Sequence, residues 1–281
     1  MEGQAGVGHA ERSSAGGGTY LSESRPSSDT ENRTGDIFNS FATKYPVQKP
    51  ALEEKLEKLA PQKALEKLLA KYEAKPLPKK LVKEITSLFL DPSHTSIELF
   101  NKRIDAQGAR ALAEALANHF AVDTLYLEFN SIGAEGARAI AEALATHPSI
   151  TSMDISDNNL GEEGAKAMGK VLTTNSSLKK LFLAGNHLGD EGAREVVAAL
   201  GSNHTLTKLN LYGNEIGDKG AEAIAEALGD HSSRLKINLG GNCITADGAR
   251  AIFQAVATNS SLIKINLMDN KIGSEGVKAA S

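Results

Sequence analysis

Three histidines share one slot of the chain. His119, His147 and His231 stand where Asn175, Asn203 and Asn259 stand in other stretches. Imidazoles stacked at such a spacing would be candidate metal ligands, but zinc sites draw on three or four converging donors. A slot shared with asparagine reads instead as a helix-ending position that tolerates left-handed backbone. No metal site is expected. The single cysteine, Cys243, occupies a slot filled elsewhere by Ser131, Asn159, His187, Glu215 and Lys271. A position that accepts so many side chains makes no case for a reactive thiol. Adjacent carboxylates such as Glu162 and Glu163 fall at helix starts, where they favour the macrodipole. The sequence contains no phosphate-binding loop, nucleophile elbow, metalloprotease helix or paired-cysteine motif. No catalysis and no cofactor are expected.

The chemistry that remains is recognition. Aromatics make up 5% of the chain, 8 Phe and 5 Tyr with no Trp, so their placement is informative. Five of them, Phe100, Tyr126, Phe129, Phe182 and Tyr212, fall at variable positions of strand-like segments, and exposed sheet aromatics are frequent anchors for protein partners. Glu98, Glu128, Asp154 and Asp157 lie near them and give the first half of that surface an acidic character. Lys180, Lys208, Lys236 and Lys264 share a second slot. On adjacent strands about 4.8 Å apart they would form a row roughly 14 Å long. Such a row repels itself, which an acidic partner would relieve and solvent screening would soften.

The elements that must carry these residues repeat. LYLEFNSIGAEGARAIAEAL at 125–144 returns as LFLAGNHLGDEGAREVVAAL at 181–200 and LNLYGNEIGDKGAEAIAEAL at 209–228. Asn130, Asn158, Asn186, Asn214, Asn242 and Asn270 follow one another at intervals of 28 residues. An earlier unit carries Ile97, Leu99 and Ile104 in register, with Lys102 in the asparagine slot. Each unit opens with the apolar alternation of a strand and continues with apolar residues at helical spacing, such as Ala137, Ile140, Ala141 and Leu144. The glycine of each EG pair is read as the place where helix approaches strand too closely for a Cβ. No unit can bury its apolar face alone, so the units must stack. The asparagines are then expected to form a ladder whose amides satisfy backbone groups in the turn after each strand. Oppositely charged residues at i, i+3 on the outer helices (Glu135 with Arg138, Glu163 with Lys166, Glu191 with Arg194, Asp247 with Arg250, Lys219 with Glu222) read as helix-register pairs.

This pattern resembles the ribonuclease-inhibitor-like leucine-rich-repeat family, whose units follow L-x-x-L-x-L-x-x-N with a succeeding helix. The resemblance covers roughly residues 95 to 281. It implies an α/β solenoid, a horseshoe arc with an inner parallel sheet and outer helices, here of seven units with the last incomplete. The family includes inhibitors, innate-immune sensors, Ran GTPase activators and tropomodulin actin-capping proteins.

The flanks differ. Residues 1–35 are rich in Ser, Gly and charge and are expected to be a disordered tail. Residues 36–94 are expected to be helical, with one helix ending before Pro61, a second starting there, and a third near 79–90 covering the end of the solenoid. The last unit breaks off at GSEGVKAAS and is expected to leave an open apolar end where another chain could dock. The net charge of -4 gives no general attraction to nucleic acid or membranes. The first residues lack a signal peptide's basic start and apolar core. One cysteine suits a reducing compartment, so a cytoplasmic location is expected. Sequons begin at Asn32, Asn175, Asn203 and Asn259, and the last three read as by-products of the repeat.

The function expected from these residues is a non-catalytic scaffold that binds a protein through the concave sheet. Two rival readings follow from the resemblance: a regulator of a small GTPase, tested by GTP turnover, and an actin-associated protein, tested by co-sedimentation.

Overall fold

The computed structural model describes residues 49–91, 93–117, 119–230 and 234–278, with side chains described from residue 60 onward except those of Asp230, Val277 and Lys278. The expected tail at 1–35 and residues 36–48 lie outside the described residues. Leu56–Ser281 forms one compact unit, to which the following description belongs.

Helix α1 (Lys49–Ala70) runs through Pro61 without a break. The expectation of two helices meeting there is corrected. Proline removes one backbone donor, and the leucines, glutamates and lysines on both sides are helix formers strong enough to carry the helix past it. Helix α2 (Lys79–Leu90) buries Leu81, Ile85 and Leu88, and these join Leu65 and Leu68 of α1 in the core of the repeats.

The repeats follow as β1 (Ser96–Glu98), α3 (Ala106–Leu116), β2 (Thr124–Tyr126), α4 (Gly133–Ala145), β3 (Ser152–Asp154), α5 (Gly161–Thr174), β4 (Lys180–Phe182), α6 (Gly189–Val197), β5 (Lys208–Asn210), α7 (Asp218–Asp230), β6 (Lys236–Asn238), α8 (Ala246–Thr258), β7 (Lys264–Asn266) and α9 (Gly273–Lys278). The seven strands form one parallel sheet in chain order, β1 to β7. Each strand pairs with the next in strict repeat register, as Leu125 with Met153 and Leu181 with Leu209. Each connection is a strand–helix–strand crossover to the neighbouring strand. Such crossovers share one hand, so the helices fall on one side and the other sheet face stays open.

Strand residues with even numbers face outward, while Leu125, Leu127, Leu181, Leu183, Leu209 and Leu211 are buried. Helical residues such as Ile140, Leu144 and Ile224 close over them. The EG glycines sit where the chain has no spare volume, though against other groups than the sequence suggested. A Cβ on Gly136 would lie 2.9 Å from Ala109 Cβ and 2.7 Å from Ile132 Cγ2. The tight approach is therefore between helices of successive units and to the residue leading into the helix, not between helix and strand. The far end of the core is more open. Leu235, Ile237, Leu239 and Ile244 are buried, whereas their counterparts Ile263, Ile265, Leu267 and Ile272 are half-buried or exposed.

Candidate functional site

The six asparagines determine how strand and helix join. Asn186 Nδ2 donates to the carbonyls of Ile155, Leu183 and Ala184 at 3.0, 3.1 and 3.2 Å. Its Oδ1 accepts the N–H of Asn158, one unit earlier, at 2.9 Å. Asn158, Asn214 and Asn242 repeat the arrangement and are buried, while Asn130 and Asn270 at the two ends are half-exposed and still bond to the unit before them. Each amide thus satisfies backbone groups for which the ending sheet has no partner.

A second ladder runs along the helix C-termini. Asn175 Nδ2 donates to Leu144 O and His147 O, and its Oδ1 accepts the N–H groups of Ser177 and Leu178. Asn203 does the same with Leu172 O, Thr205 and Leu206. The backbone at Asn175 and Asn259 is extended, with φ of -82° and -90°. The expectation of left-handed backbone in this slot is corrected: asparagine stands there for its amide, not for its tolerance of positive φ. Ser177 Oγ reaches Ile150 O at 2.8 Å and Thr205 Oγ1 reaches Leu178 O at 3.1 Å, so the N-x-S/T spacing is a structural device. His147 fills the same slot and is buried. Burial lowers its pKa, and lowers that of His119 as well, where the neighbouring His147 adds to the effect. No group of three or more His, Cys, Asp or Glu side chains among the described residues is placed to hold a metal ion.

The open face of the sheet carries the expected recognition residues in columns. Lys180, Lys208, Lys236 and Lys264 are in direct register as the first residues of β4 to β7, and all four are exposed. The third strand position reads Glu98, Tyr126, Asp154, Phe182, Asn210, Asn238 and Asn266. Tyr126 is exposed, and Phe182 lies under the Lys208 ammonium, 4.6 Å from the ring centroid. Two residues further on, Phe100 and Tyr212 are exposed as well, and a Cβ on Gly241 would lie 2.8 Å from the Tyr212 ring. That ring lies flat against a backbone bare of side chains.

Phe129 is not a strand residue. It stands in the turn after β2 with φ of 56°, in a column that is left-handed in every unit: Asn101, Asp157, Gly185, Gly213, Gly241 and Asp269 share it. The strand alternation ends one residue earlier than the sequence suggested. Phe129 packs edge-on against Phe100 with ring centroids 5.3 Å apart. The five aromatics therefore form a Phe100–Phe129 pair, with Tyr126, Phe182 and Tyr212 set apart along the face. Asp154 separates Tyr126 from Phe182 in their column.

The acidic residues lie close together. Glu128 Oε2 is buried without a hydrogen-bond partner among the described residues. Burial and the nearby Asp154 charge raise the pKa of Glu128, and the same two causes raise that of Asp157. The open face thus has an acidic, aromatic half over β1–β3 and a basic, amide-bearing half over β4–β7. On the helical side, Arg194 pairs with Glu191 and Arg250 with Asp247 within one helix. Glu135 turns instead to Arg110 of the preceding unit at 3.1 Å, because stacked helices bring that guanidinium as close as its own helix does.

A family model described as leucine-rich repeat matches residues 122–141, 146–169, 174–197, 202–225, 235–253 and 258–279. The chain belongs to the leucine-rich-repeat family. The matched stretches cover six of the seven strand-bearing units; the β1 unit precedes them. Two solved structures similar to this repeat protein bear the titles leiomodin-1 actin-binding site 2 and, from Caenorhabditis elegans, tropomodulin C-terminal domain. The first is 23% identical, covers 55% of this chain and 90% of its own, and has a TM-score of 0.48. The second is 12% identical, covers 61% of this chain and 88% of its own, and has a TM-score of 0.41. No curated protein matches the sequence. No helix among the described residues is long and apolar enough to cross a membrane.

Proposed function

We propose that this leucine-rich-repeat protein is a non-catalytic, intracellular scaffold that binds a protein partner on the open face of its sheet. The observation that carries the reading is the in-register column of exposed lysines beside Phe182 and Tyr212. A solvated face has no need of a half-buried Phe182 and an exposed Tyr212 on neighbouring units, and aromatic anchors flanked by charge are the usual composition of binding hot spots. Like charges held at the strand spacing repel by about 0.9 kcal/mol per adjacent pair in bulk water before salt screening. A partner that brings negative charge removes that repulsion. The lone thiol of Cys243 suits a reducing compartment.

Photo-crosslinking tests the face directly. A benzophenone side chain placed at Tyr126, Phe182 or Tyr212 is expected to give discrete adducts in cell extract. The same probe at Glu142 or Glu226 on the helical side is expected to give none. Equal adducts from both sides would remove the open face as the site.

A further inference from the structure

Resting on that reading, we infer that the β4–β7 half of the open face takes an acidic α-helix laid across the strands, with one carboxylate per helical turn over one lysine per strand.

Three observations carry this. First, Lys180, Lys208, Lys236 and Lys264 have no carboxylate of their own within ion-pair distance among the described residues. The one neighbour that any of them engages is the Phe182 ring beneath Lys208. Some exposed cations of the fold do find a carboxylate, as Lys75 does in Asp105 at 2.6 Å and Arg194 in Glu191 at 3.3 Å.

Second, the adjoining asparagines turn their donors outward. Asn210, Asn238 and Asn266 each use Oδ1 to accept the backbone N–H two residues on, from Tyr212, Gly240 and Met268 at 3.2, 3.1 and 3.1 Å. What remains on each side chain is the NH2 group. Asn266 spends one N–H on Asn238 Oδ1 at 2.9 Å; the others face the open side. A row of amide N–H donors beside a row of ammoniums is a surface for anions. Asp154 makes the same backbone bond in the same column, to Ser156 N at 3.0 Å, yet presents a carboxylate there. The preference for anions therefore begins at β4.

Third, the spacing favours a helix. Strands repeat every ~4.8 Å, so four lysines span roughly 14 Å. Carboxylates on one face of a helix repeat every ~5.4 Å and span roughly 16 Å over three turns. Same-face carboxylates of an extended chain repeat every ~6.8 Å and run about one full strand ahead by the third lysine. Flexible lysine side chains absorb the first mismatch far more readily than the second.

Fluorescence anisotropy with two synthetic 18-residue peptides tests the inference. One carries four Glu at i, i+4, i+7 and i+11 on an alanine-rich helix; its isomer has the same composition with the four Glu spread around the helix. The one-face peptide is expected to bind at least tenfold tighter than its isomer. Its affinity is expected to fall at least tenfold in K208Q/K236Q and further in K208E/K236E, variants whose exposed positions leave the circular-dichroism melt unchanged. Equal binding of the two isomers, binding indifferent to the lysine changes, or no binding by either peptide at low salt would each overturn it. Crosslinking at Tyr126, on the half without lysines, reads the broader scaffold proposal independently, so the two can fail separately.

Discussion

Asn186 and Asn158 stand one repeat apart, and the Oδ1 of the first accepts the backbone N–H of the second at 2.9 Å. The same side chain donates into the carbonyls of Ile155 and Leu183, so one amide joins the turns of two units. Asn186→Ala leaves several buried backbone groups unsatisfied, each worth about 1–3 kcal/mol. The variant is expected to lose at least about 3 kcal/mol by urea unfolding, on the same unsatisfied-group scale. Asn130→Ala, at a half-exposed position where water can substitute, is expected to lose less than half as much. Equal losses at the two sites would show that burial is not what makes the ladder strong.

The slot shared by histidine and asparagine makes a pH prediction. Burial holds the His147 pKa below that of the unfolded chain. The unfolded state then binds the extra proton first, so stability falls as pH drops below about 6.5 and goes on falling to the lowered folded value. Above that window the effect vanishes. His147→Asn places in the slot the residue found at Asn175 and Asn203. The difference between wild type and this variant in urea midpoint is expected to move in the variant's favour between pH 7.5 and pH 5.5. A difference independent of pH would mean that the imidazole is not the group being protonated.

Glu128 has the opposite sign. Its pKa is raised by burial and by Asp154, so the charged form burdens the fold at neutral pH, and the burden lifts as pH falls through the raised value towards the ordinary value near 4.5. Glu128→Gln is expected to be more stable than wild type at pH 7, with the gap closing at pH 4. Thermal unfolding at the two pH values measures it; a variant less stable at pH 7 would contradict the stated cause.

Phe129 holds a left-handed backbone that costs a side-chain-bearing residue roughly 1–2 kcal/mol. Glycine removes that strain but adds about 0.5–1 kcal/mol of unfolded-state freedom, and the edge contact with Phe100 is worth about 0.5–1.5 kcal/mol. Phe129→Gly is therefore expected to unfold within about 1 kcal/mol of wild type, the terms nearly cancelling. Phe129→Val, β-branched and without the contact, is expected to be clearly less stable than the glycine variant. Reversal of that order would show that the turn does not govern this position.

The open-face anchors separate binding from folding. Tyr126 and Tyr212 are 42% and 44% exposed, so the combined change of Tyr126, Phe182 and Tyr212 to Ala is expected to shift the melting temperature by only a few degrees, as surface substitutions do. Affinity for a crosslinked partner is expected to fall at least tenfold. Full affinity in the triple variant would move the site elsewhere.

The 28-residue period and the aligned asparagines placed strands, register and the lysine column from sequence, because parallel stacking copies sequence spacing directly into space. Three features were hidden for separate reasons. Phe129 follows the strand alternation on paper, and only the left-handed turn removes it from the strand. Pro61 is a helix-start signal that neighbouring helix formers overrule. The second ladder did leave a trace, the hydroxyl two residues after Asn175, Asn203 and Asn259, but that trace has the form of a glycosylation sequon. Its real meaning required knowing that Leu144 O and Leu172 O lie beneath the amides.

Both ladders run in one direction. Every asparagine amide reaches back to main-chain atoms of the unit before it, so a unit is completed by its successor and owes nothing of this kind to its predecessor. Peeling repeats away from the β7 side therefore strands main-chain donors and acceptors at the new boundary. Peeling them from the β1 side breaks the same kind of sheet bonds, but from the two ladders it frees only side-chain amides, which water can serve. Unravelling under tension or partial proteolysis thus has a weak and a strong direction, written into the chain by which neighbour each asparagine serves.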